Sequence, residues 1–450
     1  MLKQVGPKTS PEGAIVTLKE AQFPKPFPAQ LEYNCPVHEN WNIVHTGMLI
    51  PECHQIYVCN VNCMRGVIMT ADEMAANGRI SAVMPTEQEV VQGKLEDVSI
   101  EGVCDILDHL PYRPKAVQLF LVCMHHFLGC ESRYIFRELR TRYPDIAFLP
   151  CWMDPIMMKV ALTPEQKQRK AMMEVLPDLP VVPEHVVVLG DNLRLPKTSD
   201  IAVLCKHYGQ TLRQVQDCKS YADYLSLGDG ALYLTRSPLS VYGLEALCKT
   251  NNRPYLYLPQ TVDYDEIETL LAEFLAHLLP SEEDAAKAAN AFASTQIPLC
   301  EEALSKAKAS LGDTPIAIDY IGHNRPLGLA KLLLSHGFTV TRIYLDAISP
   351  EEEHSFFWLK EHAPDVTLQS TNHVKSRVLP RGSEEPTLAI GPKAAYFTDS
   401  PYFVNSIEGD GNFGYDGIRQ LAMQMMDAMQ TKKDTKALVQ RKGLGNPCVL

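Results

Sequence analysis

His54-Gln55-Ile56-Tyr57-Val58-Cys59-Asn60-Val61-Asn62-Cys63-Met64-Arg65-Gly66-Val67 and Leu119-Phe120-Leu121-Val122-Cys123-Met124-His125-His126-Phe127-Leu128-Gly129-Cys130-Glu131 share one pattern, an apolar β-rich run that ends at a thiol. The first reads as a strand followed by a loop, with Gly66 just past the second thiol. The second reads as a strand that empties into Cys123 and a Gly-containing turn. Outward from these, short β-rich runs recur at Ala147–Leu149, His185–Leu189, Ala231–Leu234, Tyr255–Leu258, Pro315–Asp319, Val340–Leu345, Val366–Leu368 and Thr387–Ile390, separated by stretches with helical spacing. Together with Gln55–Val58 and Ala116–Val122 they predict an α/β chain with mostly parallel sheets flanked by helices.

Several runs end in a turn signal followed by a helix, as in Val188-Leu189-Gly190-Asp191-Asn192 and in Asp319-Tyr320-Ile321-Gly322-His323-Asn324 before Arg325–His336. In doubly wound sheets such carboxyl ends line the ligand crevice. The expected organisation is an extended Pro-rich arm over residues 1–30, three Rossmann-like units over 31–183, 184–312 and 313–430, and a tail over 431–450. Pro177, Pro180 and Pro183 mark the first seam, and the Ala/Glu/Lys-rich helical stretch Asp284–Leu311 precedes the second.

The chain has 450 residues with 42 Lys and Arg against 54 Asp and Glu, a net charge of −12. That balance argues against nucleic acid as a partner, because phosphate binding needs concentrated basic side chains. The basic run from Lys432 to Lys442 reads as a solvated tail. No run approaches the ~18 apolar residues of a membrane helix, and Met1-Leu2-Lys3-Gln4 leads into a polar Pro-rich arm instead of a signal sequence, so a cytoplasmic protein is expected.

Eight of the 13 cysteines (Cys35, Cys53, Cys59, Cys63, Cys104, Cys123, Cys130 and Cys151) fall in the first 151 residues. In a reducing cytosol crowded thiols are more often metal ligands or redox groups than disulfides. Thiolates at strand ends converge even when distant in sequence, and iron–sulfur clusters need such soft, deprotonated donors. Two other readings stay open. Free cysteine packs well in cores, which suits the apolar contexts of Cys104, Cys205, Cys248 and Cys300. Cys59 and Cys63 have the spacing of half a zinc motif, although no second CxxC or HxxxH pair completes it. His125 and His126 are candidate proton donors beside Cys123, with His45, His54 and His323 of the same kind. The methionines near residues 153–173 and 423–429 read as core or interface filler.

The ordered thiols Cys35, Cys63 and Cys123, with Cys123–Glu131 as a variant of Cys-Pro-x-Gly-x-x-Gly-Asp-Asp, resemble the nitrogenase component 1 superfamily. The resemblance extends to Arg236-Ser237, to the turn and helix Gly322–Leu333, and to Gly411-Asn412-Phe413-Gly414-Tyr415-Asp416-Gly417, and so covers roughly residues 31–430. It implies a subunit that holds an iron–sulfur cluster, [4Fe–4S] or larger, at an interface with a homologous subunit or a second copy, in a dimer or heterotetramer. By motif, Cys35, Cys63 and Cys123 are the implied ligands. Cys59 is the alternative to Cys63, and Cys53 and Cys130 are extra donors. Electrons would come from a separate ATP-dependent iron–sulfur reductase protein, and a small-molecule substrate would be reduced.

Two departures bear on the substrate. No cysteine precedes Arg236-Ser237, and Phe403-Val404-Asn405-Ser406 holds no histidine where the nitrogenase pattern has one. The resemblance therefore implies a nitrogenase-like oxidoreductase acting on something other than dinitrogen, or else a non-catalytic metallocluster scaffold or structural partner subunit. Gly322–Gly328 lacks the Lys-Ser/Thr of a P-loop and no GxGxxG follows a strand, so ATP hydrolysis and dinucleotide binding are not expected of this chain.

Overall fold

The computed structural model describes residues 10–27, 43–157, 161–377, 379–383 and 385–435. The Pro-rich arm contributes one short strand, β1 (Ile15–Thr17). The first thiol-bearing run forms β2 (Cys53–Val58), buried along its whole length. Parallel neighbours flank it, β3 (Ile80–Val83) on one side and β4 (Ala116–Val122) on the other, and β5 (Ala147–Met153) completes the order β3-β2-β4-β5. Because both faces of β2 and β4 are covered, their sequences show no polar alternation. Tyr57 stacks on its register partner Phe120 with centroids 4.4 Å apart. The polar exceptions are satisfied inside the core: Gln118 Nε2 donates to the Gly47 carbonyl at 3.1 Å while its Oε1 accepts from Gln168 Nε2 at 2.6 Å. Left unpaired, such an amide would cost ~1–3 kcal/mol.

A second all-parallel sheet contains β6 (Val182–Val188), β7 (Thr211–Gln214), β8 (Gly230–Thr235) and β9 (Tyr255–Tyr257) in the order β7-β6-β8-β9. The third is built from β10 (Pro315–Asp319), β11 (Thr339–Tyr344), β12 (Thr367–Gln369), β13 (Leu388–Ile390) and β14 (Phe403–Val404), ordered β1-β12-β11-β10-β13-β14. Only its arm strand β1 is antiparallel among these pairs. The first two sheets lie in one compact unit, and the third lies in another together with the segment Leu195–Tyr208.

In all three sheets the chain builds outward on one side of a central strand and then returns to its other side. The strand order therefore reverses between β2 and β4, between β6 and β8, and between β10 and β13. Loops leaving the two strands part in opposite directions there and open a crevice at the carboxyl edge. In the unit with the third sheet, the Gly-rich element at residues 411–417 opens the helix Gly414–Gln430. Gly414 has φ +65°, and a Cβ would run into the Asp200 carboxylate, which accepts the Tyr415 N–H at 2.6 Å. Glycine is required at that turn on both counts.

Candidate thiol site at the carboxyl edge of the first sheet

The switch point between β2 and β4 is where the cysteines gather. Cys59 follows β2 directly and its N–H donates to Val83 at 3.0 Å, continuing the sheet. Asn60 then caps the helix Val61–Glu73, its side chain accepting from the Asn62 N–H at 3.0 Å. The expected loop around Cys63 and Gly66 is thus helix, because an Asn cap ends the strand and starts the turn at once. Cys63 occupies the first helical turn and is exposed. On the other side of the switch, Cys123 opens the short helix Cys123–Phe127, half-buried, with its thiol directed to the Met153 carbonyl at 3.9 Å.

Cys63 feels the charge of Cys123, and Cys59 that of Cys63. Burial raises the Cys63 thiol above its ordinary range and a charge on Cys123 raises it further, against a hydrogen bond from the Asn60 region. Burial pushes Cys59 up to about 12, with a further rise from Cys63. A thiol raised in this way becomes a thiolate once a cation sits beside it, which is the electrostatic requirement of a cluster site. Among the described residues no group of three or more His, Cys, Asp and Glu side chains is placed to hold a metal ion alone. Cys35 lies outside the described residues.

The remaining thiols are held elsewhere. Cys53 begins β2 while Cys59 follows its end, so the two are roughly 20 Å apart along the strand. Its thiol is fully buried, pushed up to about 11, and touches Gln118 Nε2 at 3.8 Å. Cys130 lies past Gly129 with Glu96 as its electrostatic neighbour, and burial pushes it to about 11. Cys104, Cys205, Cys248 and Cys300 are buried, as their apolar contexts predict. Met153, Met172 and Met173 join the core, whereas Met423 is exposed.

The two histidines after Cys123 differ. His125 is buried, its Nδ1 accepts the Val122 N–H at 3.1 Å, and burial pulls it down to about 4. Its Nε2 has no partner among the described residues. His126 is partly exposed and stacks on Trp152 at 4.5 Å, with its Nε2 2.8 Å from Asp154 Oδ2. The fully buried Asp154 also accepts from Lys167 Nζ at 2.6 Å, and its Oδ1 is unpartnered among the described residues. Asp154 and Lys167 carried no motif in the sequence. The sole available signal was their position, Asp154 being the residue after β5. His45, His54 and His323 are packed histidines, each lowered to about 4 by burial.

The edge is also apolar where it meets solvent. Val61, at the start of the Cys63 helix, is 61% exposed, and Phe127 and Leu128, at the end of the Cys123 helix, are 73% and 49% exposed. Among the described residues no helix is long and apolar enough to cross a membrane.

No protein-family model and no curated protein sequence matches the chain. Solved structures do. Nitrogenase Cp1 at pH 5 superposes with a TM-score of 0.59 over 93% of this chain and 94% of that one, at 12% identity. Nitrogenase Cp1 at pH 6.5 does so with a TM-score of 0.61 over 90% and 95%, at 14% identity. Identity at that level speaks for architecture and not for chemistry. With mostly parallel sheets flanked by helices and nearly the full length of both chains aligned, the protein has a nitrogenase component 1-like fold.

Proposed function

We propose that the chain is an iron–sulfur oxidoreductase subunit of the nitrogenase component 1 type, which accepts electrons from a separate ATP-dependent iron–sulfur protein and reduces a small molecule other than dinitrogen. What supports this reading is that Cys63 and Cys123 lie in the first turns of the helices that follow the two strands of the first sheet's switch point, near enough for a charge on Cys123 to raise the Cys63 thiol. Cys35 is the third proposed ligand and Cys59 the substitute for Cys63. A [4Fe–4S] or larger cluster would supply one-electron storage there. The chain's own residues supply the rest: helix-start amides near both thiols offset negative charge, and Val61, Phe127 and Leu128 offer an apolar rim to a partner subunit. A homologous subunit or second copy seated on that rim would complete the ligand set and exclude water. Asp154 fixes the ring of His126 at the same edge.

Anaerobic reconstitution with iron and sulfide tests the assignment. Cys63→Ser and Cys123→Ser should lose iron and acid-labile sulfide, whereas Cys248→Ser, in the core, should retain both. Equal iron content in Cys123→Ser and Cys248→Ser would overturn it. A reconstituted chain that takes up cluster yet passes no electrons from any iron protein would be a scaffold or structural subunit instead.

A further inference from the structure

The helix Ser132–Arg142, which links β4 to β5, carries Arg133, Arg137, Arg140 and Arg142 against one carboxylate, Glu138. In a chain of net charge −12 this is a local reversal of sign. Arg142 is engaged by Glu101 at 2.8 Å, and Arg137 meets Glu138 only at 3.8 Å with 71% of its side chain exposed. Arg140 uses one N–H on the Phe148 carbonyl at 3.1 Å. Arg133, Arg137 and Arg140 are spaced i, i+4, i+7 and share one helix face.

Opposite that face runs β5, an edge strand, so Pro150 costs no ladder hydrogen bond there. Strand alternation puts Pro150 and Trp152 on one side. Between helix and strand lies an open cleft of about 460 Å³, lined by Arg133, Phe136, Arg137, Arg140, Pro150 and Trp152 among others. The Trp152 ring is clamped: His126 stacks on it at 4.5 Å and Lys167 Nζ stands 5.6 Å from its centre, and Asp154 holds both. A rigid aromatic wall, a second apolar wall and three guanidiniums thus face one volume.

We propose that this cleft binds a small organic polyanion, a flat apolar body carrying two or more carboxylate or phosphate groups. Guanidinium forks match carboxylate and phosphate oxygens in pairs. Trp152, Phe136 and Pro150 suit a flat hydrocarbon face. The volume is that of a small-molecule pocket. The site is independent of any metal at the thiols.

Titrating the full-length chain with pyromellitate and with pyrophosphate, read by tryptophan fluorescence and by calorimetry, tests the proposal and separates the two anion classes. Saturable binding of at least one is expected, about tenfold weaker in Arg133→Gln and in Arg137→Gln. Arg142→Gln removes the same charge from the same helix outside the cleft and should leave the affinity within about twofold. Trp152→Phe should abolish the fluorescence change while calorimetry still registers heat. The arginine sites are exposed and Trp152 is partly buried, so folding of each variant is checked by an unchanged far-ultraviolet spectrum. Absence of saturable binding for both anions, an equal loss in Arg142→Gln and Arg133→Gln, or tighter binding of poly-glutamate than of either probe would each overturn the proposal.

Discussion

The switch points of the first and third sheets have the same strand logic and opposite chemistry. At the β10/β13 switch, Asp319 accepts the N–H groups of Ile321, Gly322 and Ala394 at 2.9, 2.7 and 2.7 Å. Burial raises the Asp319 carboxyl to about 6 against these hydrogen bonds and the Lys393 charge, and Lys393 Nζ donates to Tyr320 Oη at 2.6 Å and Thr371 Oγ1 at 3.0 Å. Gly391, at φ +104°, is required because a Cβ would overlap the Asp319 carboxylate. The crevice is filled by its own hydrogen bonds. At the β2/β4 switch the chain places thiols instead, one of them exposed, next to uncovered apolar side chains. One fold therefore uses the same crevice once as a structural knot and once as an open edge. What distinguishes them is whether the polar groups there are already satisfied.

The knot should be the costlier place to cut. Asp319→Ala leaves three buried N–H groups without their acceptor and removes a negative charge near the buried Lys393, and on the order of 3–5 kcal/mol should be lost. With two compact units a single unfolding midpoint is not meaningful, so the loss is to be read from hydrogen exchange in β10, β11 and β13. Exchange as slow as in the parent chain would mean that the knot holds nothing. The second sheet gives an intermediate case. Arg236 Nε meets Asp191 Oδ2 at 2.6 Å with both side chains nearly buried, while Arg236 N and Thr235 Oγ1 also donate to Asp191. Since those donors survive in Arg236→Ala, its cost should be smaller, roughly 2–3 kcal/mol, measured in β6 and β8.

The third switch should also be sensitive to acid. His323 Nδ1 accepts the Arg325 N–H at 3.2 Å, and burial, with a lesser push from the Arg325 charge, lowers the ring to about 4 from the ordinary 6.5. Its folded value lies below its unfolded one, so the neutral ring belongs to the fold. The stabilisation is complete above pH 6.5 and is lost as pH falls towards 4. Between pH 7 and pH 5 it should decline by about 2 kcal/mol. His323→Gln should flatten that slope in the unit with the third sheet, and an unchanged slope would assign the acid sensitivity to other groups.

Legibility of the fold followed the same division between centre and edge. All ten strands expected from apolar β-rich runs are present. The four that carried no such signal, β1, β3, β7 and β14, are all outermost in their sheets. An edge strand is covered on fewer sides, so Thr211-Leu212-Arg213-Gln214 can be polar and Phe403-Val404 can be two residues long. At the candidate site, the place of Cys123 directly after β4 was legible from the apolar run before it, whereas the helix around Cys63 was not, because Asn60 caps it without an intervening loop. Asp154, Lys167 and the Arg-bearing helix were not, since each reads as an ordinary solvated charge until Trp152 and its cleft are in place. The basic charges after Lys432 are adjacent in sequence. Those of residues 133–140 are adjacent only on a helix face.

The smallest expected effect on stability is the sharpest test of the contrast. Cys63 is exposed on the first turn of its helix, and serine there keeps the volume and remains compatible with a helix start. Cys63→Ser should therefore change the stability of the first sheet by no more than ~0.5 kcal/mol, read by exchange in β2 and β4, while iron retention after reconstitution falls to background. A thiol whose removal costs the fold nothing and the metal everything is held at the edge for a ligand. A loss near 2 kcal/mol, comparable to cutting the Asp191 pair, would mean that Cys63 packs as part of the protein's own structure, and the two switch points would then differ in composition alone.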